Sequence, residues 1–183
     1  MRIATLLLIL SASMPLAFAQ IIESNQELAD LGIQDQSDRR PGGNAIDWSV
    51  VRKNDQGRRE RVLALLRDGR VRSSNDFYSA ALIFQHGETP EEAMLAHSLA
   101  MVSATLNPDN SQARWLAAAA WDRYMLRLNR PQWYGTQFSK NPDTGLWVLY
   151  AVDETAVTDE QRAQHGVPTL ARSKMRAESL NEK

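Results

Sequence analysis

With 183 residues, 43% of them apolar and 23% charged, the chain amounts to about one domain with an ordinary buried core. A formal net charge of −1 leaves nothing global to steer it towards nucleic acid or acidic membranes. The absence of cysteine excludes thiol catalysis, thiolate metal sites and disulfide staples, so stability has to come from packing.

The chain opens MRIATLLLILSASMPLAFAQ. Arg2 supplies a positive start, Ile3 to Leu10 an apolar run, and Ala17-Phe18-Ala19 a small-x-small cleavage site. That layout predicts a secretory signal peptide over residues 1–19, with an apolar run too short for a membrane span. The mature protein is expected to be exported, periplasmic or secreted, with no stable membrane anchor after cleavage. Residues 20–45 are read as a flexible N-terminal arm. Within it, Ser24 and Glu27 form a capping-box pattern for a short helix that Gly32 stops, and a Pro-Gly-Gly break follows.

A helical domain is expected over residues 46–172. In DQGRRERVLALLRDG, Val62, Leu65 and Leu66 share one face and Gly69 closes the helix. The arginines around it read as the solvated face of an amphipathic helix, because no aromatics interleave for base stacking. Ser74 is the expected N-cap of the next helix, which ends at Gly87. Thr89, Pro90 and Glu92 mark the start of another, and Ala93 to Leu106 carry no charged side chain. Two such helices in succession are expected to be central and covered on more than one side. A fourth long helix runs through SQARWLAAAAWDRYMLRLN, with Trp115, Ala119, Asp122 and Leu126 on one stripe. Its start resembles the turn between tetratricopeptide units, but no thirty-odd-residue period repeats along the chain.

Past Pro131 the character changes. TQFSK, the turn Asn141 to Gly145, and LWVLYAVD predict a β-hairpin at about 136–152. A last capped segment, TDEQRAQHG, leads to Pro168, and residues 173–183 form a polar C-terminal tail. The fold class is therefore mostly α, a helical-hairpin bundle of about four main helices with a small appended β-hairpin.

Phosphate-binding glycine loops, zinc-protease helices, nucleophile elbows and EF-hands have no counterpart in the sequence. The informative residues are polar ones where apolar ones would cost less. His97 lies mid-helix among small and apolar neighbours, where an unpartnered imidazole costs about 1–3 kcal/mol. His86 sits at a helix end before Gly87, a place that also suits a cation at the helix dipole. Asp122 shares a stripe with Trp115 and Ala119, so it points inward, and the adjacent Arg123 points elsewhere.

After that helix comes Gln132-Trp133-Tyr134-Gly135-Thr136-Gln137. This stretch resembles the Gln-x-Tyr-Gly-Thr-Gln signature of a bacterial domain family of unknown function. Gln85-His86-Gly87, Ala96-His97 and Asp122-Arg123 precede it in the order seen in that family, and the resemblance extends over roughly Arg58 to Leu170. It implies a shared polar set and a domain boundary, and names no substrate.

Together these positions suggest one pocket. His86 or His97 would be the base and Asp122 its orienting carboxylate. Gln85, Arg123, Gln132, Tyr134, Thr136 and Gln137 would hold a small polar or anionic ligand. Ser79, Ser98 and Thr136 offer hydroxyls, though none is marked as a nucleophile, so water is the simpler attacker. No metal is assigned, since no two candidate ligands stand at i, i+4 on one helix, and no cofactor is assigned. Two alternatives stand beside this pocket. In one, the Gln132–Gln137 side chains serve only their own loop's backbone. In the other, the chain is a helical protein-interaction module without catalysis, whose partner would be a protein.

Overall fold

The structure is a computed structural model describing residues 22–40 and 46–182. The expected signal peptide and the Pro-Gly-Gly break lie outside the described residues. Among the described residues, seven helices and one two-stranded antiparallel sheet follow in chain order: α1 Gln26–Ser37, α2 Trp48–Arg67, α3 Ser74–Phe84, α4 Pro90–Leu106, α5 Ser111–Arg127, β1 Phe138–Lys140, β2 Trp147–Leu149, α6 Asp159–Gln164 and α7 Leu170–Ser179. The mostly helical class with one small hairpin holds, but the count of about four main helices is too low.

Capping explains most helix starts. Thr89 and Glu92 close a reciprocal capping box on α4, with Pro90 at its first turn, and Thr158 with Gln161 does the same for α6. On α3 the box is shifted by one residue: Ser73 is the N-cap, and Asp76 bonds back to it. Helix α2 begins earlier than its charge pattern suggests, because Asp47 accepts from the backbone of Ser49 and Val50.

Helix α3 is the centre of the bundle, flanked by α1, α2, α4 and α5. Its Ala80, Ala81, Ile83 and Phe84 meet Leu28 of α1, Val62 and Leu65 of α2, Ala96 and Leu99 of α4, and Leu116 and Ala117 of α5 in one core. Each Leu, Ile, Val or Phe buried there contributes roughly 1.5–3 kcal/mol. The four alanines Ala117 to Ala120 are fully buried, and small side chains let α5 lie close against α4. Ser74 and Ser103 tie α3 to α4 by donating to each other's carbonyls, at 2.9 and 2.7 Å. Helix α4 is not covered all round, however. Met101, Val102 and Leu106 at its C-terminal end are exposed, because no described element packs on that face.

Two terminal segments differ from the sequence reading. The stretch read as a flexible arm contains α1, with Leu28 fully buried. Its cap is Asn25 rather than Ser24, and Glu27 pairs with Arg61 instead of closing a box. Gly32 does not stop the helix; it lies against Ser79 of α3, where lack of a side chain permits close packing. The segment read as a polar tail forms most of α7, which packs on β2. There Asn181 accepts from the Trp147 amide at 2.7 Å and donates to the Trp147 carbonyl at 3.0 Å.

Candidate functional site

The expected pocket residues fall into three separate groups. The first is the loop Gln132–Gln137, which is built around Asp122. Asp122 is fully buried, and one of its oxygens accepts from the amides of Trp133 and Tyr134, both at 2.9 Å. The other accepts from the amide and the hydroxyl of Thr136, at 2.9 and 2.7 Å. Gln137 donates through Nε2 to that same hydroxyl at 2.8 Å, which leaves the Thr136 proton for Asp122. Burial pushes the Asp122 carboxyl above the usual aspartate range, and these four donors pull the other way.

Gln132 is also fully buried and acts as a substitute strand partner. Its Nε2 donates to the carbonyls of Gln137 and Tyr150, and its Oε1 accepts from the Gln137 amide at 2.9 Å. From the other side, Arg162 donates to the carbonyls of Trp133 and Tyr134 at 2.9 and 3.1 Å. Gly135 takes a φ of 80° at the tip, over Leu170 and Ser173 of α7. Asp122, Gln132, Thr136 and Gln137 therefore spend their hydrogen bonds within the loop and on the elements that hold it, Gln132 reaching the Tyr150 carbonyl and Gln137 the Ala119 carbonyl of α5. Asp122 makes no hydrogen bond to His86 or His97, so the carboxylate expected to orient a base does not do so.

The second group surrounds His97. Its Nδ1 donates to the Ala117 carbonyl at 2.9 Å, and its ring lies 5.2 Å from that of Trp121. Burial lowers its pKa, so the imidazole is a neutral pin between α4 and α5. Tyr134 faces His165, a histidine to which the sequence drew no attention, with ring centroids 5.0 Å apart. His97 and Tyr134 do not line the cleft described next.

The third group is the cleft. A concavity of about 570 Å³ opens between α1, α3 and α5, and Gln85, His86 and Arg123 line it with Gln36, Tyr78, Gln112 and Trp115. His86 stands at its inner wall, where its Nε2 is buried without an aligned hydrogen bond, 3.5 Å from Asp35 Oδ2. Asp35 is fully buried and completes an i, i+4, i+7 stripe with Leu28 and Gly32 on α1. It also contacts Arg39 at 3.1 Å and accepts from Gln36 at 2.7 Å. Arg39 and Arg58 both grip Asp55, at 2.5 and 2.6 Å, and Arg58 reaches Asp38 at 2.9 Å. Arg58 is thus buried in an ion-pair network and not part of a solvated face.

Two features set the electrostatics. Burial, with the charges of Arg39 and Arg123 added, pulls His86 down to about 3. Burial pushes Asp35 up to about 6, against the pull of Arg39. At neutral pH His86 is a neutral ring beside an ionised carboxylate, a hydrogen-bonding group and a weak base.

Arg123 differs from Arg39 and Arg58, for no carboxylate lies within ion-pair distance of it among the described residues. Its one hydrogen bond is a long contact, 3.4 Å, to the Ala119 carbonyl of its own helix. Burial and the neighbouring Arg127 charge lower its pKa to about 10. The sequence reading missed Asp35, Gln36 and Arg39 because it took their segment for a mobile arm. The stripe through Leu28, Gly32 and Asp35 was the available signal.

Among the described residues, no group of three or more histidine, aspartate or glutamate side chains is arranged to hold a metal ion, and no helix is long and apolar enough to cross a membrane. No family model, no curated protein and no solved structure matches the chain.

Proposed function

We propose that the protein binds a small anionic ligand in the cleft between α1, α3 and α5. The observation carrying this reading is Arg123, a partly buried guanidinium that lines the cleft without a carboxylate partner among the described residues. Its neighbour in sequence, Asp122, is consumed by the loop, so the positive charge is left for something from outside. Gln85 and the ring of His86 flank it as neutral hydrogen-bonding groups. The reading is confined to binding, since Asp122 is spent on the loop and makes no hydrogen bond to His86. Export, proposed from residues 1–19, would place the ligand outside the cytoplasm.

The test is thermal unfolding in increasing inorganic phosphate, with sodium chloride at matched ionic strength as control. Phosphate at a hundred times its Kd would stabilise by about 2.7 kcal/mol. For a domain of this size, that is roughly 5–11 °C in midpoint. The wild type should show a phosphate-specific rise that Arg123→Gln abolishes. An equal rise in both proteins, or none in the wild type, overturns the reading.

A second reading, a helical interaction module, is favoured by the uncovered Met101, Val102 and Leu106 on α4. It predicts that Val102→Asp leaves the fold intact and abolishes association with a protein partner, while the phosphate response persists.

A further inference from the structure

The cleft at Arg123 does not end there. A second concavity of about 550 Å³ shares Gln36, Tyr78, Leu82 and Gln112 with it as common wall and continues to Asn75 and Asn110. The two form one groove, with Arg123 lining one half and the exposed Arg40 lining the other.

The middle has its own chemistry. Trp115 is 38% exposed and lines the Arg123 half, while Tyr78 lines both halves. The phenol of Tyr78 makes no hydrogen bond within the described residues, and burial raises its pKa, so it remains a neutral donor. Gln112 and Asn75 are solvent-facing carboxamides with no intramolecular side-chain hydrogen bond among the described residues. Aromatic faces paired with free carboxamides suit ring-shaped ligands that carry C–H on their faces and hydroxyls on their edges. A peptide is the poorer fit. The walls are mostly the sides and ends of helices, so they offer no strand edge for a peptide backbone.

We infer that the groove takes an acidic oligosaccharide, with one sugar carboxylate on Arg123 and successive rings running past Trp115 and Tyr78 towards Asn75. This rests on the anion-binding reading of the same cleft. The acid anchors one end through a charge-assisted contact. The rings add affinity through stacking and hydroxyl contacts, so binding grows with ligand length.

The experiment is calorimetric titration of the full chain with galacturonate, trigalacturonate, uncharged cellotriose and the peptide Ala-Ala-Ala. Trigalacturonate should bind at least tenfold more tightly than the monomer, and cellotriose at least tenfold more weakly than trigalacturonate. Trp115→Ala and Gln112→Ala each change an exposed side chain and should leave folding intact. Each should weaken trigalacturonate about tenfold. Equal affinity for monomer and trimer, or indifference to Trp115→Ala, overturns the oligosaccharide inference while the Arg123-dependent phosphate effect preserves the anion site. Binding of Ala-Ala-Ala in place of the saccharide, lost on Trp115→Ala, overturns it in favour of a peptide terminus. Loss of any Arg123 dependence for phosphate removes the anion site itself, and the inference with it.

Discussion

At Asp122 a single carboxylate holds three residues of loop, Trp133, Tyr134 and Thr136, and its replacement by asparagine tests what each oxygen does. Either orientation of the amide points an NH2 at backbone amides that need an acceptor, Trp133 and Tyr134 on one side or Thr136 on the other. The expected loss for Asp122→Asn is about 3 kcal/mol, from a broken buried network with unpaired donors. Urea unfolding measures it, and a loss under about 1 kcal/mol would mean that the loop stands without its carboxylate. His86 and Asp35 form the second residue-scale case. His86 is held low, so its neutral form stabilises the fold at high pH, and that stability is lost as pH falls from its unfolded value of about 6.5 towards 3. Asp35 is held high, so its protonated form stabilises the fold at low pH, and that stability is lost as pH rises from about 4 to 6. Over that common window the two slopes oppose. Relative to the wild type, Asp35→Asn should therefore gain stability more steeply with rising pH, and His86→Gln less steeply. Unfolding midpoints between pH 4 and 6 decide the matter; slopes displaced from the wild type's in the same direction in both variants would refute the assignment.

Among the elements, α1 carries the largest revision. Leu28 is fully buried against α3, and Leu28→Ala should cost about 3 kcal/mol, within the usual range for a buried leucine. A change below about 0.5 kcal/mol would return α1 to the status of an ornament on the domain. The sequence placed α4 and α6 well, since a Thr cap with a Glu or Gln three residues on is a local hydrogen-bond pattern that needs no distant partner. It undervalued α1, whose apolar residues are few and whose stripe includes an aspartate. A charged residue on a helix reads as solvent-facing until the arginine that neutralises it is known; Arg39 stands only four residues on from Asp35, but Arg58 becomes known only through packing. The same limit affected Arg58, which looked like part of a solvated basic face.

In the whole molecule, the helical bundle and the β-hairpin are joined through the loop that Asp122 holds and the helix α7 that backs it. A lone two-stranded hairpin is marginal in water, and α7 supplies its support through Asn181, Arg176 over the Phe138 ring, and the packing under Gly135. A chain ending at Pro168 should keep protected amides in α3 to α5 while Asn141 and Tyr150 exchange freely, as read by hydrogen exchange. Unchanged protection at those two amides would show the hairpin to be self-supporting. The sequence by itself determined the helical class, the position of the hairpin and the unusual polar set, because caps, periodicity and turn residues act over a few neighbouring positions. Only the tertiary structure decided which polar residues serve the scaffold and which face a cleft. Asp122 and Arg123 are adjacent in the chain, yet the first is turned onto a loop eleven or more residues away and the second has no counter-ion among the described residues. That separation depends on where α5 sits against α1, α3 and the loop, and long-range packing of this kind leaves no mark in the spacing of residues along one chain.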